Sequence, residues 1–73
     1  MDIRKLVKMA NEIGAFFEAD PDRTAAIEGI AGHLTRFWEP RMRRELLAHV
    51  QETGGTDLKP VVLEAVRTIA VPA

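Results

Sequence analysis

Apolar residues recur at intervals of three and four along most of this chain, and each run stops at an Asp-Pro step, a proline or a glycine pair. Ile3, Leu6, Val7, Ala10, Ile13, Gly14 and Phe17 fall on one face of a helix that Asp2 suits as N-cap and Asp20-Pro21 ends. At about 100° per residue, Met9 and Phe16 point to the side of that stripe and form a second apolar shoulder, which one buried face does not require. Asp20-Pro21-Asp22 reads as an N-cap, a proline at the first helical position and an acid in the first turn, opening a second helix. Ile27, Ile30, Ala31, Leu34 and Phe37 then carry its apolar stripe. Another face holds Ala25, Gly29 and Gly32, where each glycine costs up to about 1 kcal/mol relative to alanine, a cost that suggests close approach of another backbone, the blander alternative being glycines tolerated in a well-packed helix.

Pro40 disfavours helical geometry at Glu39 and suits the start of a third helix, so Trp38 should sit at a sharp corner. Met42, Leu46, Leu47 and Val50 give that helix its apolar side, and Gly54-Gly55 its stop. Val62, Ala65, Val66 and Ile69 follow Pro60 and predict a short fourth helix, with Asp57 or Lys59 near its cap. Its valines and isoleucine are weak helix formers, so packing must hold it. The pattern thus predicts helices near residues 3–19, 21–38, 40–53 and 59–70. With no alternating run, hairpin turn or internal repeat, the fold class expected is all-α: a small single-domain bundle over residues 1–73 with tight, proline-marked corners.

Composition narrows the function. A chain of 73 residues draws only about 3 to 5 kcal/mol from a single apolar core, so a partner is one source of further stability. There is no cysteine, which removes disulfides and thiolate metal sites and suits a reducing compartment. Ten basic residues against eleven acidic ones give a net charge of −1, which lends no support to a general nucleic-acid or anionic-membrane surface. No apolar run reaches the length of a signal or membrane-spanning segment, so a soluble, cytoplasmic protein is expected. Serine and tyrosine are absent, which leaves the usual nucleophile and acid–base inventory thin and an enzyme built from this chain alone unexpected. His33 and His49 lack companion ligands at metal-binding spacing and read as boundary histidines with local hydrogen bonds. Gly54-Gly55 lacks the lysine and hydroxyl of a phosphate loop.

The run Arg36-Phe37-Trp38-Glu39-Pro40-Arg41-Met42-Arg43-Arg44 concentrates aromatic and cationic side chains at the predicted corner. Arg36, Arg41, Arg43 and Arg44 have the chemistry to grip carboxylates or phosphates; alternatively, Arg43 and Arg44 line a solvated helix face and pair with Glu39, Glu45 or Glu28. Phe37 continues the second helix's stripe and is expected in the core. Trp38, one step round at the helix end, is expected half exposed and so is the better interface residue. The candidate partner-binding set is therefore Arg36, Trp38, Arg41, Met42, Arg43 and Arg44, with Met9 and Phe16 from the first helix's shoulder. No catalytic, cofactor-binding or metal-binding residue is expected. A small helix-turn-helix-like nucleic-acid-binding or regulatory module is the alternative, with Arg41, Arg43 and Arg44 facing phosphates.

The segments Met9-Ala10-Asn11-Glu12-Ile13-Gly14-Ala15-Phe16-Phe17, Pro21-Asp22, Ile30-Ala31-Gly32-His33-Leu34 and Phe37-Trp38-Glu39-Pro40-Arg41-Met42-Arg43 resemble the delta subunit of NAD-dependent formate dehydrogenase. The likeness covers nearly the whole chain in order, and its most specific part is the Phe-Trp-acid-Pro-Arg-Met-Arg block. The resemblance implies a non-catalytic accessory subunit of a soluble molybdenum- or tungsten-containing enzyme that oxidises formate and passes electrons to NAD. It implies partners in the large catalytic subunit and the diaphorase subunits. The pterin cofactor, iron-sulfur clusters, FMN and NAD would reside there and none on this chain, which agrees with its lack of thiolates.

Overall fold

Asp2 caps the first helix as expected, its carboxylate accepting the Arg4 amide at 2.9 Å. In the computed structural model, which describes residues 2–69, four helices follow in order: α1 (Ile3–Phe17), α2 (Arg23–Phe37), α3 (Pro40–Thr53) and α4 (Pro60–Thr68). No strand occurs among the described residues, and the fold is all-α. The fourth helix's expected last position, residue 70, lies outside the described residues.

The α1–α2 connection differs from its expected form. Asp20 accepts the Asp22 amide at 2.8 Å, which folds Pro21 into the turn and leaves Asp22 as the N-cap of α2. Asp22 then accepts from the amides of Thr24 and Ala25 at 3.0 and 3.3 Å. At the next corner Glu39 is extended, with φ −64° and ψ 147°, and Pro40 occupies the first turn of α3, as the proline rule requires. Gly54 ends α3 in the left-handed region at φ 81°, where a side chain would be strained.

The loop to α4 is fastened from a distance by Asn11. Its Nδ2 donates to the Asp57 carbonyl at 3.0 Å, and its Oδ1 accepts the Lys59 amide at 2.9 Å. That second bond satisfies the amide of Lys59 at the start of α4, where the Lys59 side chain makes no cap bond. His49 adds a clasp on the other side, its Nε2 3.0 Å from the Asp57 carboxylate.

α2 packs chiefly on α4, and α1 touches each of the other three helices. Leu6, Ile30, Leu34, Leu46, Val62 and Val66 are fully buried where they meet. The weak helix formers of α4 are thus held by burial on two sides, which is how packing overrides local preference. Gly14 lets α4 come close, since a Cβ there would overlap the Val62 Cγ2 methyl. α2 and α3 touch little beyond the corner itself. What holds that corner matters for the surface around it.

Candidate functional site

The corner inverts the expected roles of its two aromatics. Trp38 is only 6% exposed and belongs to the core, whereas Phe37 is 72% exposed. The reason is the end of the helix. Trp38 is the C-cap residue, extended at φ −83° and ψ 139°, so its side chain no longer follows the 100° step and swings inward. Phe37 keeps helical geometry, but no following element covers it. A Trp38→Ala variant would therefore open a core cavity costing about 3 to 5 kcal/mol and cannot report on docking alone.

Arg43 is corrected in the same way. Its Nη1 donates to the carbonyls of Thr35 and Trp38, both at 2.8 Å, and lies 3.3 Å from that of Leu34. The Leu34 carbonyl already accepts the Trp38 amide, so Arg43 chiefly serves the Thr35 and Trp38 carbonyls at the end of α2, where a cation also complements the helix dipole. Arg43 ties α3 to α2 through Nη1, which leaves its Nε and Nη2 hydrogens as the donors available to any other acceptor. Met42 is half-buried and packs against the core. Arg36, Arg41 and Arg44 remain exposed, and among the described residues none of them forms an ion pair. The alternative pairing of Arg43 and Arg44 with Glu28, Glu39 or Glu45 is not made among the described residues.

The exposed aromatic surface lies instead across α1 and α2. Phe16, on the shoulder that the α1 pattern marked, is 75% exposed, and Met9 is 37% exposed. Phe16 meets Phe17 edge-on with ring centroids 5.2 Å apart, and His33 stacks obliquely on Phe37 at 4.9 Å. Two adjoining grooves share Phe17 and His33. One, of about 330 Å³, is walled by Ile13 and Phe16 with Glu12 at its edge. The other, of about 260 Å³, runs along α2 past Glu28, Gly29 and Gly32 to Arg36 and Phe37.

The two glycines in that second groove differ. A Cβ at Gly29 would run into the Phe17 ring, so this glycine seats an aromatic of the chain itself, a side chain and not a backbone. A Cβ at Gly32 would meet nothing within 4 Å, so the fold itself gives no reason for its absence. Phe37 is the surface residue that periodicity alone missed, and a helix stop one residue after it was the available signal.

Among the described residues no group of three His, Asp or Glu side chains is placed to hold a metal, and the His49–Asp57 contact joins the end of α3 to the loop that follows it. The Asp2 carboxyl is held below the usual carboxylate range, chiefly by hydrogen bonds from the Arg4 side chain and amide. That pair is a helix cap. No helix among the described residues is long and apolar enough to cross a membrane.

Fold and surface together define a small all-α bundle with an apolar core and an uncovered aromatic face on one helical hairpin. The family model of the NADH-dependent formate dehydrogenase delta subunit, FdsD, matches residues 5–66, and the chain belongs to this family. No curated protein and no solved structure matches it.

Proposed function

We propose that this chain is a non-catalytic accessory subunit that docks on the large catalytic subunit of a soluble, cytoplasmic NAD-linked formate dehydrogenase and stabilises that subunit's folded, cofactor-loaded state. The molybdenum or tungsten pterin, the iron-sulfur clusters, FMN and NAD belong, in this reading, to the large and diaphorase subunits. The observation that carries the docking face is the pair Phe16 and Phe37, about three-quarters exposed on neighbouring helices of a chain whose core is already filled. Exposed aromatics flanked by arginine are what anchor protein interfaces, and a ligand that binds only the folded state stabilises it by mass action. Met9 and Arg36 extend the face, and Arg41 and Arg44 lie beyond the corner. Trp38 and Arg43 support it from within.

The test is retention of formate dehydrogenase subunits by the tagged chain in its native cell. Phe16→Ser combined with Phe37→Ser should abolish retention while the chain's helical circular dichroism is unchanged. Cofactor content of the large subunit, measured with and without the chain, should fall when the chain is missing. Undiminished retention by the double variant would exclude this face, and equal cofactor loading would exclude the stabilising role.

A further inference from the structure

Three residues on α2 occupy one ridge at equal spacing: Glu28, Gly32 and Arg36. All three line the groove that ends at Phe37. Along an α-helix four residues rise about 6 Å, so the acid and the base lie that far to either side of the glycine. Neither Glu28 nor Arg36 has an ion-pair partner among the described residues. The ridge is therefore antisymmetric in charge about Gly32, and an antisymmetric ridge is complementary to itself turned end for end.

We infer that the free chain covers this groove with a second copy of itself, α2 against α2, about a two-fold axis passing at Gly32. Glu28 of each copy then faces Arg36 of the other, and the two pairs form together or not at all. Ridges of this i±4 kind pack into one another at interaxial angles near −50°, and two-fold pairs are the commonest closed assembly. The charges carry this argument, and the glycine fixes only where the axis passes. A standard interface takes about 800 Å² from each partner, roughly a sixth of the chain's 4818 Å². The Phe37 rings, 72% exposed in the single chain, supply the apolar flanks of that area. The dimer stands on the groove alone. Only its consequence, that self-association and docking compete for one face, rests on the docking proposal above.

Sedimentation equilibrium on the purified chain, from micromolar to submillimolar concentration, should show a monomer–dimer equilibrium and nothing larger. Arg36→Glu or Glu28→Arg sets like charges against each other twice per dimer and should raise the dissociation constant by about tenfold or more. The double variant Glu28→Arg with Arg36→Glu restores both pairs and should recover the dimer. Because the chain has no cysteine, Gly32→Cys provides a second readout: under mild oxidation it should cross-link to itself faster than Lys8→Cys. A monomer throughout the range, a dimer indifferent to the single reversals, a double variant that stays monomeric, or equal cross-linking at positions 8 and 32 would each overturn the inference. All readouts concern the chain alone, so failure to dock on the enzyme, which would sink the preceding proposal, is scored separately.

Discussion

Replacing Arg43 by alanine tests whether the most arginine-rich stretch of the chain serves a partner or the fold. The Arg43 Nη1 amine carries two hydrogens, so of the three carbonyls around it only those of Thr35 and Trp38, each at 2.8 Å, can be served well at once. Hydrogen bonds from a charged donor contribute about 1.5 to 3 kcal/mol each. Thr35 is exposed, so water replaces much of its bond, whereas the Trp38 carbonyl is partly buried and pays more for losing its donor. Adding the dipole contribution of about 0.3 to 1 kcal/mol, the net loss comes to about 2 to 3 kcal/mol. That is most of the roughly 3 to 5 kcal/mol available to a core of this size.

For a domain of 60 to 100 residues each kcal/mol moves the melting temperature by about 4 to 8 °C, so Arg43→Ala should melt at least about 8 °C below the parent chain. Arg41→Ala is the control, since an exposed, unpaired arginine should change stability by no more than about 0.5 kcal/mol. Arg43→Lys keeps the charge but loses the planar guanidinium and should recover only part of the loss. Thermal and urea unfolding by circular dichroism at one fixed concentration settles the matter. If Arg43→Ala and Arg41→Ala agree within about 0.5 kcal/mol, the capping role is wrong and Arg43 returns to the surface.

Gly14→Ala should destabilise the chain by about 1 to 3 kcal/mol through overpacking against Val62, outweighing alanine's gain in helix propensity; a higher urea midpoint would contradict the close α1–α4 approach. Asn11→Ala removes two bonds that fasten the α3–α4 loop, and a loss of about 1 to 3 kcal/mol is expected, with hydrogen exchange at the Lys59 amide rising first. Acid should fray the start of α1. The Asp2 carboxyl is depressed by its hydrogen bonds to Arg4, so its capping contribution is complete above the unfolded carboxyl's range and is lost as pH falls through the lower folded value. Exchange at the Arg4 amide should rise across that window in the parent chain and be high at every pH in Asp2→Ala.

How far the sequence carries the fold can be judged at its corners. Pro40 and Gly54 place the start and stop of α3 because each has a backbone reason, a fixed φ in one case and a left-handed φ in the other. Asp20 and Asp22 are both capping residues, and only the hydrogen bond between them decides which begins the helix. Periodicity exposed the shoulder of Met9 and Phe16 because their neighbours continue the helix on both sides. It failed at Phe37 and Trp38, where the helix stops and the exit direction of the chain, a tertiary property, turns one ring outward and the other inward. Arg43 was misread for a similar reason. Its acceptors lie up to nine residues earlier, across a bend that no helical wheel represents.

That the corner is built from Trp38 and Arg43 bears on why the chain would need company. α2 and α3 share little direct contact apart from the corner, where the Trp38 indole and the Arg43 guanidinium join them, while both helices also pack on α1 and α4. The uncovered face lies on α2 and α1, with Phe37 adjoining Trp38 in sequence. A partner present at 100 times its dissociation constant adds about 2.7 kcal/mol to folding stability, a quantity comparable to the whole roughly 3 to 5 kcal/mol of a core this small. Whatever covers Phe37 therefore steadies the corner as well as the interface, and the chain's apparent stability should depend on its concentration whenever a second copy does the covering. Under the docking proposal the enzyme competes with that second copy, which would link occupancy of the enzyme's site to how much free chain the cell contains.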